Sequence, residues 1–304
     1  MNYEEFIEYV RTYLTSRFEP DTSIFIHQVL KNNNTQLDGI SVLKKDQTIS
    51  PTLYLNDFYQ EYLYGTPLED LLDDLYHCFL HPYTSFTFSA TEFKNFNLMK
   101  DRIVYRLINY SKNQALLADI PHRKFLDLAI VYYLLLHSSD TGNACIIIRN
   151  EHMSFWNVEP DTLHQHAEKN TPLLLPAKVQ KMDEIIHSFL SLNPESEDRE
   201  LFGSFEEEPS SPPLYVLTNQ SHLNGASVLL YKNLLKELSD TIDESFYILP
   251  SSIHEIILVP SGSSLSKTNL NLMVQDVNQK EVSPMERLSD HVYFYNRLTR
   301  AITM

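Results

Sequence analysis

Residues 125–137 read Phe-Leu-Asp-Leu-Ala-Ile-Val-Tyr-Tyr-Leu-Leu-Leu-His, and this run decides the fold. It is rich in Leu, Ile, Val and Tyr, it follows Pro121, and a turn signal, Asp140-Thr-Gly-Asn143, comes soon after it. This pattern predicts a central strand paired with a second strand at 144–149. The apolar part, residues 128–136, is only nine residues long and too short to cross a bilayer.

Outward from this run, the hydrophobic periodicity predicts an α+β fold, mainly antiparallel sheets with packed helices. The predicted helices cover residues 3–18, 56–64, 67–79, 91–109, 159–169, 176–192, 233–242 and 264–277. The predicted strands cover residues 23–31, 37–43, 52–55, 125–137, 144–149, 214–218, 226–231, 246–249, 253–260 and 291–295. Strand, turn, strand and helix occur in this order twice, at 125–169 and 214–242, which hints at two similar α/β halves.

Composition shifts along the chain predict four regions. An N-terminal hairpin and helical region takes residues 1–120, and a strand, hairpin and helix region takes 121–192. Residues 193–213 carry four prolines and many acids without periodicity, which is typical of a linker or loop. A C-terminal α+β region takes residues 214–304.

The charge distribution disfavours nucleic acid as a partner and indicates one basic segment. Formal net charge is −16, whereas phosphate backbones require clustered Lys and Arg. Residues 94–124 run the other way, with seven Lys and Arg against two Asp. A solvated helix face paired with acids explains such a segment, and so does an anion or nucleotide site. The candidate binding residues are Arg102, Arg106, His122, Arg123, Lys124 and Asp127.

Asp127 is a candidate because it interrupts the apolar run. A carboxylate within a buried strand requires a partner. Its near neighbours His122 and Arg123 are too close in the sequence to reach it easily. We therefore expect a partner from the basic segment, Arg102 or Arg106.

Cysteine, glycine and N-terminal composition bound the class of protein. Cys78 and Cys145 lie among apolar neighbours, which predicts two buried thiols and a reducing compartment. The first residues, Met-Asn-Tyr-Glu-Glu-Phe, do not resemble a signal peptide, so we expect a cytoplasmic location without membrane association. Six scattered glycines form neither a Rossmann fingerprint nor a phosphate loop, and we predict no cofactor.

Histidine spacing gives little support for a metal site. His164 and His166 flank one residue, a spacing that suits a metal on a strand. The surrounding segment has a helical pattern, and residues two apart on a helix point in different directions. We therefore predict no metal site.

Residues 251–255, Ser-Ser-Ile-His-Glu, hold the residue types of a nucleophilic site. Ser251 or Ser252 would be the nucleophile, His254 the base, and Glu255 or Asp290 the group that orients it. On an extended backbone, however, Ser252 and His254 face one way and Glu255 the other. No Gly-x-Ser-x-Gly elbow surrounds either serine.

Several segments resemble an uncharacterised domain-of-unknown-function family of bacterial Firmicutes proteins. The likeness covers nearly the whole chain and rests on five segments: Pro121-His-Arg-Lys-Phe-Leu-Asp-Leu-Ala-Ile-Val, Tyr215-Val-Leu-Thr-Asn, Asn224-Gly-Ala-Ser, Leu249-Pro-Ser-Ser-Ile-His-Glu and Leu288-Ser-Asp-His-Val-Tyr. It implies no activity, but it marks Ser251, Ser252, His254, Glu255, Ser289 and Asp290 as motif positions.

A more distant likeness is to a second uncharacterised family of cytosolic bacterial proteins. It rests on Trp156 with the helix that follows it, and on the strands and terminus at Ala226-Ser227, Pro250-Ser251 and Leu288-Ser289. This family brings no activity either.

These observations favour a non-catalytic binding or regulatory protein whose partner is a protein or a small molecule. The tyrosine-rich composition agrees with this hypothesis, since Tyr is enriched at binding surfaces. A hydrolase using Ser251 or Ser252 with a histidine is one alternative. An anion or nucleotide binder using the 94–124 segment is the other.

Overall fold

The computed structural model describes residues 1–45, 50–80, 89–139, 142–192 and 213–304, and their fold is α+β. The α-helices are α1 Tyr3–Arg17, α2 Leu55–Leu63, α3 Leu68–Leu80, α4 Ala90–Phe93, α5 Phe96–Met99, α6 Gln114–Leu117, α7 Asn150–Trp156, α8 Pro160–Leu174, α9 Met182–Leu192, α10 Leu234–Ile242 and α11 Lys267–Lys280. Short 3-10 helices lie at Asn32–Asn34, Lys100–Arg102, Ser111–Asn113 and Gly225–Leu230.

The strands in the described part of the chain form three antiparallel sheets. Their bounds are β1 Ser23–Leu30, β2 Gln36–Leu43, β3 Thr52–Tyr54, β4 Ile103–Asn109, β5 His122–Phe125, β6 Leu128–Ser139, β7 Gly142–Ile147, β8 Ala177–Lys181, β9 Tyr215–Asn219, β10 Phe246–Leu249, β11 Ile256–Pro260, β12 Tyr293–Asn296 and β13 Ala301–Thr303.

The N-terminal sheet has the order β1-β2-β3 and packs against α1, α2 and α3. Helix α1 begins where Asn2 and Glu5 form a capping box, and it buries Phe6, Val10 and Leu14. The predicted hairpin between β1 and β2 is confirmed. Asn33 and Asn34 supply the positive φ angles of its turn, 56° and 58°.

The middle sheet has β6 at its centre, as the apolar run predicts. Strand β4 pairs along one side of β6, and β5 and β7 pair along the other side. Both faces of β6 are buried, which explains its nearly continuous apolar sequence.

Residues 91–109 were predicted as one helix, and this is wrong. The described chain has α4, α5 and a 3-10 turn there, followed by β4. The sequence of β4 begins Ile-Val-Tyr, and these β-branched and aromatic residues pair with the apolar edge of β6. Because β4 belongs to the same sheet as β5 and β7, the predicted domain boundary at 120/121 divides a sheet.

The C-terminal sheet has the order β13-β12-β10-β11-β9-β8 and shares one buried core with the middle sheet. Tyr105 and Tyr132 from the middle sheet lie in this core with Phe246 and Tyr293 from the C-terminal sheet. The two sheets therefore stabilise each other through a common apolar interior.

Several predictions in this part of the chain are wrong. The strand predicted at 226–231 is wrong, because Gly225–Leu230 form a 3-10 helix. The second of the two suggested α/β halves therefore lacks the hairpin of the first. Residues 177–181 form β8 rather than the first turns of α9. Helix α8 continues through Pro172 to Leu174, beyond the predicted end at residue 169. The predicted linker at 193–213 lies, except for Pro213, outside the described residues.

Cys145 is exposed and Cys78 is only partly buried, so the predicted burial of both cysteines is wrong. None of the helices in the described ranges combines the length and apolar character that a bilayer span requires.

Candidate functional site

One face of the middle sheet brings together three basic residues of the predicted set. In the strand register Arg106 lies opposite Val131, which in turn lies opposite His122. Side chains alternate along a strand, so Lys124 shares the face of His122, and Tyr133 shares that of Val131. We call this surface, with Arg106, His122, Lys124 and Tyr133, the Arg106 face.

Two apolar clusters flank Arg106 on this face. One contains Ile108 and the helix residues Leu116 and Leu117, and the other contains Val104 and Leu175. Arg106, itself partly buried, therefore leaves the strand between buried apolar groups, and a charged side chain that is partly removed from water in this way requires a partner.

Arg106 has no such partner in the described parts of the chain. Its Nε atom is buried and makes no hydrogen bond there, and no carboxylate there pairs with it. The guanidinium lies 5.8 Å from the centroid of the Tyr133 ring. The hydroxyl of Tyr133 is also buried and has no acceptor among those residues. Burial raises the pKa of Tyr133, and the Arg106 charge together with the neighbouring Asn224 side chain opposes this shift only in part.

The other partly buried arginines of the described chain all have acceptors. Arg102 donates to the Leu136 carbonyl at 3.3 Å. The remaining acceptors are Asp161 for Arg123, Asp119 for Arg149, the Val282 carbonyl for Arg287 and Asp243 for Arg297. Arg106 is therefore the exception among the partly buried arginines of the described chain. Its Nε atom and the Tyr133 hydroxyl are two buried donors on the Arg106 face, and neither has an acceptor among the described residues.

Of the other two basic residues, Lys124 adds positive charge at the margin of the site and His122 adds a polar ring. The Nδ1 atom of His122 lies 3.1 Å from the carbonyl of Ile120. A carbonyl only accepts, so Nδ1 carries the proton of the neutral ring. Lys124 is exposed, with its Nζ atom 4.8 Å from the centroid of the Tyr110 ring.

Arg123 does not belong to this face. It neighbours His122 and Lys124 in β5, so its side chain points to the opposite side of the sheet, where it pairs with Asp161 on α8. The structure thus divides the predicted basic set between two faces.

Asp127 lies in the turn between β5 and β6 rather than inside the central strand, and the predicted partners Arg102 and Arg106 are wrong. Its carboxylate accepts hydrogen bonds from the hydroxyls of Ser289, at 2.6 Å, and Tyr293. Asp127 therefore joins the middle sheet to the C-terminal sheet.

Residues 251–255 form a loop before β11, so the predicted extended backbone is wrong. Backbone bonds fix the loop on two sides: Ile253 donates to Glu286 at 2.8 Å and accepts from Ala226 at 3.1 Å. The backbone N–H of His254 donates to the Ser252 hydroxyl oxygen at 2.9 Å. Ser252 is only 7% exposed.

The imidazole of His254 is directed away from this hydroxyl. Its Nδ1 atom lies 3.1 Å from the carbonyl of His222, and its Nε2 atom lies 3.6 Å from a carboxylate oxygen of Glu286. Sequence reasoning missed Glu286, because only the fold brings it near His254. The loop joins a histidine to a carboxylate without placing a serine hydroxyl between them.

The remaining candidates of this group have separate surroundings. Glu255 is partly buried directly before β11. Asp290 accepts from Asn278 at 2.7 Å and from Lys112 at 3.0 Å. Burial alone would raise the pKa of Asp290, but these two hydrogen bonds and the Lys112 charge hold it below its ordinary value.

His164 and His166 lie on α8, as predicted, and contact different groups. The Nδ1 atom of His164 lies 3.0 Å from the Tyr132 hydroxyl, whereas the His166 ring meets Phe96 edge-on at 5.4 Å. Burial raises the pKa of Tyr132 to about 12 and lowers that of His164, so the tyrosine is the donor. The described residues contain no group of three potential metal-ligating side chains.

Comparisons with known proteins identify a family but no activity. No curated protein and no solved structure matches the chain. The model of a family of unknown function, DUF5688, matches residues 3–297, which is nearly the whole chain. The chain therefore belongs to the family of unknown function DUF5688.

Proposed function

We propose that the protein is a non-catalytic binding protein that holds a small anionic ligand against the Arg106 face. The observation that supports this is the guanidinium of Arg106, which is partly buried and lacks an acceptor in the described chain. An anion would provide the missing acceptor, and charge-assisted hydrogen bonds of this kind are among the stronger ones in proteins.

The chemistry of the face indicates the class of ligand. The planar guanidinium of an arginine matches a carboxylate or a phosphate group. The Tyr133 hydroxyl is a second buried donor without an acceptor among the described residues. The apolar clusters on either side favour a compact ligand with an apolar portion over an extended polyanion. A net charge of −16 also disfavours a polyanion such as nucleic acid.

A cytoplasmic location is part of this proposal. Cys145 is a free and exposed thiol, which agrees with a reducing compartment. The hydrolase alternative has weaker support, because the backbone of His254, and not its imidazole, bonds to Ser252. Both nitrogens of that ring face other acceptors.

A thermal-shift screen with small carboxylates, phosphorylated metabolites and nucleotides tests the proposal. A ligand at a hundred times its Kd stabilises the folded state by about 2.7 kcal/mol. For one cooperative unit of this size, this stabilisation raises Tm by roughly 4 °C.

The decisive comparison uses two matched variants. Arg106→Gln removes the charge of the site, so the ligand should no longer raise Tm. Arg123→Gln removes a charge from the opposite face of the same sheet. The ligand should raise the Tm of this variant as much as that of the wild type. A panel without any stabilising anion, or a shift that persists in Arg106→Gln, would contradict the proposal.

A further inference from the structure

Strand β1 forms an edge of the N-terminal sheet, because β2 pairs with it on one side only. Among the described residues, no group forms a hydrogen bond to the outer side of β1. An uncovered edge of eight residues is long enough to pair with another strand.

The hydrogen-bond pattern identifies which residues of β1 present their backbone outward. The amide of Asp38 donates to Asn56 at 2.8 Å and that of Val42 to Ser50 at 3.1 Å, both on the β3 side of β2. Even-numbered residues of β2 therefore face away from β1, and the odd-numbered ones pair with it. Since Asp38 lies opposite Gln28 in the register, the outward residues of β1 are also the even-numbered ones, from Ile24 to Leu30.

Natural edge strands are protected by charges, prolines or bulges, and β1 has none of these over its length. Its sequence, Ser-Ile-Phe-Ile-His-Gln-Val-Leu, contains no Asp, Glu, Lys or Arg. Phe25 is 51% exposed on the sheet face that does not pack against the helices. In a chain of net charge −16, an uncharged edge is a surface on which two copies can meet without repulsion.

We propose that two copies of this chain associate by antiparallel pairing of their β1 strands, with Ile26 opposite Ile26 of the second copy. This register uses only even-numbered, outward-facing backbone groups for the new hydrogen bonds. It also places Phe25 opposite His27 on each side of the centre, on the sheet face that does not pack against the helices. The Lys31 ammonium is directed to β3, where it donates to the Tyr54 hydroxyl at 2.6 Å, so it contributes no ion pair to the joint.

Light scattering coupled to size-exclusion chromatography tests the pairing on the full chain. The wild type should elute with twice the 35.4 kDa mass of the chain. Gln28→Pro removes one outward amide without disturbing the bonds to β2 and should give the mass of a single chain. Gln28→Thr keeps the amide and should remain dimeric, and the melting curves of both variants report whether they fold.

If the wild type stays monomeric at its highest soluble concentration, the pairing of two copies is refuted. The edge of β1 would then be open only to a strand of another protein. A folded Gln28→Pro variant that stays dimeric would equally refute the pairing.

Discussion

The substitution Arg106→Met should make the ligand-free protein more stable, although it removes the central residue of the proposed site. Natural binding sites often retain groups that oppose folding until a ligand arrives. Arg106 fits this description, because its buried Nε atom has no acceptor among the described residues.

The magnitude follows from three contributions. A buried donor without an acceptor costs about 1–3 kcal/mol, and the substitution removes this cost. The contact between the guanidinium and the Tyr133 ring, at 5.8 Å, is lost, which costs about 0.5–1 kcal/mol. The flexible methionine side chain adds contacts to the apolar clusters on either side. The net expectation is a gain of about 1 kcal/mol in the free energy of unfolding.

Urea denaturation followed by circular dichroism measures this difference. The midpoints of two variants can be compared when the slope of the free energy of unfolding against urea concentration is the same for both. Arg123→Met is the matched control. It breaks a pair with Asp161, which is 79% exposed, so it should lower stability by at most about 1 kcal/mol. If Arg106→Met lowered stability by more than about 1 kcal/mol, Arg106 would be a structural residue and the reasoning would be refuted.

Two further predictions concern the C-terminal sheet. The variant Gly225→Ala should lower the free energy of unfolding by roughly 2–4 kcal/mol in urea titrations, because its Cβ would lie 2.2 Å from the carbonyl oxygen of His254; an unchanged midpoint would contradict this. Asp290→Asn should lower the free energy of unfolding by about 0.5–1 kcal/mol at neutral pH. The loss is small because the pair with Lys112 is about 40% exposed, and solvent screens it. The folded-state pKa of Asp290 lies below its ordinary value, so this cost should disappear as pH falls below about 4, and a cost independent of pH would argue against the pair.

The fold could be predicted where local signals agreed with the tertiary structure. The apolar run at 125–137 gave the central strand, the hydrophobic periodicity of residues 3–18 gave α1, and the alternating strands gave the β1–β2 hairpin. The helix predicted at 91–109 failed because pairing with β6 overrides a weak helical pattern in Ile103–Asn109. The strand predicted at 226–231 is wrong because Gly225 lies close to the His254 carbonyl in the loop at 251–255, and this approach favours a 3-10 turn.

The candidate site was only partly predictable, for a physical reason. The basic composition of 94–124 indicated Arg106, His122 and Lys124, but only the register of β4 and β5 with β6 places them on one face. Tyr133 lay in the apolar run without any local sign of a role. The partners of Asp127 are contributed from more than 160 residues away, a distance at which single-sequence patterns carry no information.

The most direct test of the central claim observes the guanidinium of Arg106 itself. In a ¹⁵N-labelled sample, the Arg106 Nε–H resonance is the arginine side-chain signal that is missing from Arg106→Gln. When the stabilising anion found by thermal shift is added, this resonance should move in a saturable manner, with the same midpoint as the rise in Tm. If it stays in place while other arginine signals move, the anion binds elsewhere and the account is wrong.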